Sequence, residues 1–274
     1  MDESGCSSSG GFAAALGVVS DPVGGVSDPV GGVGEERRPL PPTLIVIPAF
    51  NEAATIGRVV AGALAHGPVI VVDDGSTDAT AELAQAAGAE AIRHARRLGK
   101  GQAIRTGLAA ASIRGAGSVV TLDGDGQHDP ADIVRLLAPI RDGRADAVQG
   151  ARHLADPGRA RPTLRMLGQR GLAVLLSRLT RRTVTDPTSG FWAFGPRAVA
   201  ILGDHHPTGY PEPELLLFLH RNGLRTVEIP VRIRRRLAGR TSLDAPRAGL
   251  ALARVLLALV VVPLRDAVEA PGRD

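Results

Sequence analysis

Asp123-Gly124-Asp125 follows the apolar run Ser118–Leu122 and leads into Gln127-His128-Asp129-Pro130. Two carboxylates two residues apart at the end of a buried strand face one ligand space. That arrangement suits a hard divalent cation, which takes oxygen ligands and keeps positions open for substrate phosphates. A second acidic turn, Asp73-Asp74-Gly75-Ser76-Thr77-Asp78, closes the apolar run Val69–Val72. Taken with the first, it points to a nucleotide–metal site at the carboxyl edge of an α/β sheet.

Three further segments could do chemistry. Pro48-Ala49-Phe50-Asn51-Glu52 sits where a strand gives way to a helix, whose unpaired N–H groups could hold an anion. The same residues can be read as a plain N-cap, with Asn51 capping the helix. Gly99-Lys100-Gly101 opens another helix, and its glycines let backbone approach a ligand closely. It is not a Walker pattern, because Gly rather than Ser or Thr follows the lysine. Of 32 Lys and Arg residues only Lys100 is lysine. A compact ammonium on a phosphate and a chance lysine on a solvated loop are both readings of that position. In the third segment, Asp186 precedes Pro187-Thr188-Ser189-Gly190-Phe191, and Glu212 and Glu214 lie in the first turn of a predicted helix. Each could serve as a carboxylate base or as a cap.

The elements that must position these residues alternate from Thr43 onward. Predicted strands cover 44–47, 69–72, 89–94, 118–122 and 147–150, and predicted helices cover 52–66, 77–88, 101–114 and 130–141. Pro130 suits a first helical turn. Short apolar strands alternating with helices imply βαβ units and a parallel sheet. Beyond Gly150 the spacing predicts an Arg-rich helix over 162–180, an irregular Gly/Pro-containing stretch over 183–196, a helix near 212–222 and a strand at 225–233.

The chain of 274 residues is long enough for a substantial core, and with 3% aromatic residues that core is mainly aliphatic. Residues 1–40 are rich in Gly, Ser and Pro and carry the tandem repeat Val19–Gly25 and Val26–Gly32. They bury too little apolar surface to order, so a disordered tail is expected, with the folded domain over 41–245. The single cysteine, Cys6, excludes an intrachain disulfide and fits a reducing compartment. The first residues lack the basic region of a secretory signal. Residues 246–274 include the apolar stretch Leu250–Leu264, which is interrupted by Arg254. It is shorter than the roughly 20 residues of a bilayer-spanning helix and reads as a packed or interfacial helix. The net charge of +4 invites a nucleic-acid or membrane-surface partner. One Tyr, one Trp and five Phe give no stacking platform for single strands. Eight arginines stand between 152 and 182 against one acid, Asp156, interleaved with leucines. That pattern reads either as a solvated helix face or as a basic face lying on anionic lipid.

Five pieces in order, Ile47–Glu52, Val71–Asp78, Gly99–Gly101, Leu122–Pro130 and Asp186–Phe191, resemble the family-2 glycosyltransferases of GT-A fold, in the dolichyl-phosphate mannosyltransferase-like branch. The resemblance covers roughly residues 43–245. It implies an α/β fold with a mostly parallel, Rossmann-like central sheet flanked by helices and a C-terminal helical extension. It further implies that Pro48, Phe50, Glu52, Val72, Asp74, Lys100, Asp123 and Gly124 bind the nucleotide-diphospho-sugar donor. Asp123, Asp125 and Gln127 would hold Mg²⁺ or Mn²⁺, and Arg236, with Arg240 as alternative, would meet the diphosphate. The implied reaction inverts the anomeric carbon. A lipid-phosphate acceptor at a membrane surface needs no strong base, whereas a hydroxyl acceptor needs one, for which Asp186 is the preferred candidate. The expected location is cytoplasmic, peripheral at the inner face of the membrane. The rival classes are a nucleotidyltransferase, which would carry a Gly-rich basic signature after the first strand in place of Pro48–Glu52, and an Arg-rich nucleic-acid binder.

Overall fold

The computed structural model describes residues 42–152, 164–208 and 211–234. Strands β1 (Thr43–Ala49), β2 (Val69–Asp73), β3 (Glu90–Arg93), β4 (Ser118–Thr121), β5 (Ala147–Ala151), β6 (Trp192–Phe194) and β7 (Thr226–Pro230) form one sheet in the order β3-β2-β1-β4-β6-β5-β7. Helices α1 (Ile56–Leu64), α2 (Thr80–Ala86), α3 (Lys100–Ile113), α4 (Ile133–Arg141), α5 (Leu164–Thr180), α6 (Pro196–His205) and α7 (Pro211–Arg221) cover it.

The central strands are apolar runs because both their faces are covered. In β1, Leu44 and Val46 point into one apolar cluster with Leu108, Trp192 and Leu202. Ile45 and Ile47 point into the other, with Val60, Leu122 and Leu136. Period-two alternation thus feeds two cores from one strand. Helix α3 lies so close to β1 that a Cβ on Gly107 would fall 2.2 Å from Val46 Cγ1.

The chain runs β1, β2, β3 outward, then returns to place β4 on the other side of β1. The strand order reverses there, and ligands of open α/β sheets bind outside the carboxyl ends of the strands at such a point. The turns after β1, β2, β4 and β5 all open at that edge. So does the segment entering β6, because β6 runs antiparallel to β4 and β5.

The sheet is therefore mixed rather than wholly parallel. The irregular stretch expected over 183–196 contains β6, and α6 follows directly. Glycines and a proline flank the apolar triplet 192–194, whose short length hid the strand in the sequence. Phe191, Trp192 and Phe194 are nevertheless among the largest fully buried side chains. Helix α1 starts at Ile56, four residues later than expected, since Asn51 takes a left-handed φ of 55°. The N-terminal tail and the C-terminal segment 246–274 lie outside the described residues. No helix among the described residues is long and apolar enough to cross a membrane.

Candidate active site

The loop after β1 and the turn after β2 are knotted together. Asn51 N–H donates to Ser76 Oγ and Thr77 N–H to Asn51 Oδ1, both at 2.9 Å. Glu52 N–H donates to Thr80 Oγ1 (2.9 Å) and Ala53 N–H to Asp78 Oδ2 (3.3 Å). Asn51 is consequently a loop-to-loop tie and not the cap of α1, and the N–H groups that could have met an anion already have partners inside the fold.

Asp73 and Asp74 are both buried. Asp73 accepts from Ser76 N–H (3.0 Å) and pairs with Arg93 at 3.2 Å. Asp74 accepts from Leu98 N–H (2.8 Å) and Gly99 N–H (2.7 Å), and its Oδ1 lies 2.8 Å from His94 Nδ1. This carboxylate fastens the 94–99 loop and sets the start of α3. Above it Arg97 stacks on the Phe50 ring at 4.1 Å. Pro48 and Val72 are register partners on adjacent strands, with Val72 fully buried.

At the end of β4 the environment differs. Lys100 Nζ lies 2.8 Å from Asp123 Oδ1 and 2.6 Å from Glu212 Oε1, joining β4, α3 and α7 in one ionic cluster. Burial opposes the Lys100 charge, but Asp123 and Glu212 outweigh it and raise the lysine pKa. Burial likewise opposes the Asp123 charge. The Lys100 and Arg152 cations override it and hold that carboxyl at about 2. The pair needs Gly190, where a Cβ would fall 2.5 Å from Lys100 Nζ and 3.0 Å from Asp123 Oδ1.

Asp125 Oδ1 accepts from Gln127 N–H (3.0 Å), and Thr55 Oγ1 donates to the Gly124 carbonyl (2.7 Å), which pins the acidic turn to α1. His128 is buried, stacks on Phe191 at 4.8 Å, and accepts from Asp123 N–H through Nδ1. Desolvation, reinforced by Lys100 and Arg152, lowers its pKa in spite of the carboxylates of Asp123 and Asp125, so a neutral, accepting ring fits the geometry.

Arg152, directly after β5, faces the same cluster. Asp186 is fully buried and holds the guanidinium with both oxygens, Nε and Nη2 each at 2.6 Å. Arg152 N–H also donates to it at 3.0 Å. Burial disfavours the guanidinium charge, but the Asp186 hydrogen bonds and charge raise its pKa. The expectation that Asp186 serves as a general base therefore meets a carboxylate engaged on both oxygens by a cation and closed to solvent, which makes it a poor proton acceptor. What the geometry offers instead is a guanidinium locked in one orientation.

Among the sequence-derived candidates, Asp123, Asp125 and Lys100 come together, with Gly124 and Glu52 at the same edge. A Cβ on Gly124 would lie 3.6 Å from Glu52 Cγ. Asp74 reaches the cluster only through the loop it fastens. Gln127 contributes backbone to the site's frame, its carbonyl accepting from Arg234 N–H (2.9 Å). Arg236 and Arg240 lie outside the described residues. Sequence reasoning passed over Arg152, His128 and Gly190. The first was submerged among many arginines, whereas the other two stood inside quoted motifs without a role.

No three His, Cys, Asp or Glu side chains form a metal-ligand group among the described residues. A Mg²⁺- or Mn²⁺-type ion held by one or two carboxylates, with its shell completed by substrate phosphates and water, nevertheless fits Asp123 and Asp125. Asp123 is anionic, a quarter exposed (28%), and already in contact with one cation.

Residues 44–200 match glycosyl transferase family 2. The UDP-N-acetylglucosamine–dolichyl-phosphate N-acetylglucosaminyltransferase of Methanococcus voltae is 32% identical over 69% of this chain and 84% of its own length. The undecaprenyl-phosphate mannosyltransferase of Micrococcus luteus is 29% identical over 77% of this chain and 91% of its own. Among solved structures, glucosyl-3-phosphoglycerate synthase from Mycobacterium tuberculosis, in complex with Mn²⁺, UDP-glucose and phosphoglyceric acid, superposes with a TM-score of 0.62. It is 26% identical over 83% of this chain and 82% of that one. A mostly parallel sheet with an acidic turn at its switch point defines the GT-A class of nucleotide-sugar enzymes. The chain belongs to glycosyl transferase family 2 and is a glycosyltransferase, which sets the nucleotidyltransferase reading aside.

Proposed function

We propose that the chain transfers a sugar from a nucleotide-diphospho-sugar, with inversion at the anomeric carbon, to an acceptor phosphate carried on a polyprenyl lipid. The observation that carries this reading is the convergence of Asp123, Lys100 and Arg152 at the edge where the strand order reverses. One carboxylate and two cations, each held by a carboxylate, meet there. Acidic side chains suit the cation that accompanies a diphosphate, and the cations suit phosphate oxygens. The names of the M. voltae and M. luteus relatives, both of which act on polyprenyl-type phosphates, support the acceptor class.

In this reading Asp123 and Asp125 hold the divalent ion, which when bound supplies Lewis-acid stabilisation of the departing diphosphate. Phe50 and Val72, with Pro48 and Glu52, wall the nucleotide side. Lys100 answers charge developing on the diphosphate, and it needs no reorganisation because Asp123 and Glu212 already hold its ammonium. Arg152, oriented by Asp186, receives the acceptor phosphate. The C1–O bond to the diphosphate breaks with its electron pair going to the leaving group. An acceptor phosphate oxygen forms the new bond from the opposite face. That oxygen is ionised at neutral pH, so no general base is required, in keeping with the engagement of Asp186.

The test is a donor screen over UDP-glucose, UDP-N-acetylglucosamine and GDP-mannose with a short-chain polyprenyl phosphate, with and without Mn²⁺. We expect one donor to be used, with lipid-linked sugar as product and Arg152→Gln raising the acceptor KM more than the donor KM. Transfer to a hydroxyl acceptor with none to the phosphate would overturn the acceptor assignment. An unaltered acceptor KM in Arg152→Gln would remove Arg152 from it.

A further inference from the structure

Helix α5 has two faces. Inward, Leu172, Ala173 and Leu176 are buried in the core, and Gln169 Nε2 donates to Thr188 Oγ1 (3.0 Å), the hydroxyl that also accepts from Arg152 Nη2 (2.5 Å). Outward, Arg170, Val174, Arg178 and Arg181 follow at intervals of four, four and three residues, all exposed. The four-residue intervals put Arg170, Val174 and Arg178 in one stripe along the helix, and Arg181 follows in the turn just beyond its end. Val174 (52% exposed) is a large apolar side chain left open between the arginines, and Leu179 (42% exposed) is open on the helix flank.

The stripe borders a shallow groove of about 660 Å³, which Arg182 and the Ala173 backbone region also line. From Pro157 to Thr185 the sequence contains no acid. The nearest acids in the chain and across the sheet edge are turned inward. Asp186 is held by Arg152, and Glu228 accepts from Thr185 N–H and Oγ1. The outward face is therefore cationic and apolar together, and among the described residues no carboxylate pairs with Arg170, Arg178 or Arg181.

We infer that the outer face of α5 is a docking surface for an anionic phospholipid bilayer. The arginines would lie at headgroup phosphates, with Val174 between them at the acyl boundary. Charge is the argument for this occupant. A helix with arginines on its polar side and aliphatic groups beside them lies in an interface plane, and each cation near an anionic leaflet strengthens partition by about fivefold. The placement deepens the proposed function and rests on it for its purpose. Gln169 faces the Arg152–Asp186 pair and the adjacent Arg170 faces outward, so the docked helix would hold the acceptor side of the crevice at the lipid surface.

The experiment is co-sedimentation of the full chain, without donor or metal, with phosphatidylglycerol/phosphatidylcholine vesicles and with pure phosphatidylcholine vesicles. We expect binding only to the anionic vesicles, weakened in 1 M salt and lowered about 30-fold by Arg178→Gln with Arg181→Gln, for two lost cations. Arg141→Gln with Arg144→Gln, exposed on the far side of α4, should bind as the parent does. Val174→Trp should blue-shift on anionic vesicles, since the native Trp192 is buried (1% exposed) and reports little. No vesicle binding, equal binding to neutral vesicles, or binding unchanged by the α5 pair would each overturn the inference. The last result would point to another surface, such as the apolar stretch 250–264. The readout contains no chemistry, so it can fail while transfer to a short-chain polyprenyl phosphate succeeds, and the reverse.

Discussion

Asp73-Asp74 and Asp123-Gly124-Asp125 close strands on either side of β1 and look alike as sequence, yet they are built for different work. The first pair is turned into the fold. Asp74 takes two backbone N–H groups and His94, while Asp73 takes Ser76 and Arg93. In the second pair Asp123 lies on Lys100 and is partly open to solvent, while Asp125 is buried and accepts from Gln127 N–H. A carboxylate whose oxygens face backbone donors inside the fold stabilises a loop, whereas one that is partly open to solvent can take a ligand beside its partner. What distinguishes the two turns is the identity of their partners, which spacing along the chain does not encode.

The largest expected effect lies on the second turn. Asp125→Ala should lower turnover by at least about a thousandfold, with the far-UV CD spectrum and thermal midpoint close to the parent. Excess EDTA should do the same reversibly, and Mn²⁺ or Mg²⁺ should restore activity. Full turnover in the variant, or in EDTA, would remove the divalent ion from the reaction and leave Lys100 as the cation at Asp123.

The first turn should respond in the opposite sense. Asp74→Ala strips the acceptor from three donors in the 94–99 loop, and leaving buried donors unpaired should cost on the order of 3 kcal/mol of unfolding free energy. Urea denaturation measures this directly. Asp123→Ala, in contrast, should shift stability by less than about 1 kcal/mol, because Lys100 keeps Glu212. If Asp74→Ala abolished activity with its unfolding curve unchanged, the division between a structural and a functional turn would be wrong, and Asp74 would face the nucleotide.

How much of this was legible beforehand differs by region. The strands β1, β2 and β4 declared themselves because strands buried on both faces need near-continuous apolar runs, and the ends of β2 and β4 supplied the acidic turns. Strand β6 did not, since a three-residue strand among the four residues between Gly190 and Gly195 carries no periodicity. Its antiparallel insertion between β4 and β5 is a tertiary choice. The same insertion brings Asp186 and Gly190 to the edge, so what they do could not be read from their neighbours. Asn51 misled for a related reason. Its residue type suits an N-cap, but Ser76 and Thr77 lie 25 and 26 residues further on, and their hydrogen bonds prevailed over the local preference. Arg152 carried no signal at all among the arginines around it, and only the buried carboxylate opposite sets it apart.

Gly190→Ala sharpens the comparison at a single atom. The added Cβ would meet the Lys100 ammonium, the free end of a flexible side chain that can move away, so the fold should lose less than about 1 kcal/mol. Moving that ammonium displaces the cation from Asp123, and we expect kcat/KM to fall about tenfold through misplacement of a charge near the reacting groups.

Lys100→Arg asks the mildest question of the same contact, and charge is not what it changes. An ammonium can meet Asp123 and Glu212 from one nitrogen through independently directed donors, whereas a guanidinium must present a planar fork. The space beside Gly190 is tight even for Nζ, so the larger planar group should tilt out of it and pair mainly with Glu212. Asp123 would then keep a cation nearby without the same contact, and turnover should drop only about fivefold, with donor KM rising more than acceptor KM. Steady-state kinetics against both substrates measures the split. Parent kinetics in this variant would mean that positive charge alone suffices at the head of α3, and that the one lysine among so many arginines has no geometric task there.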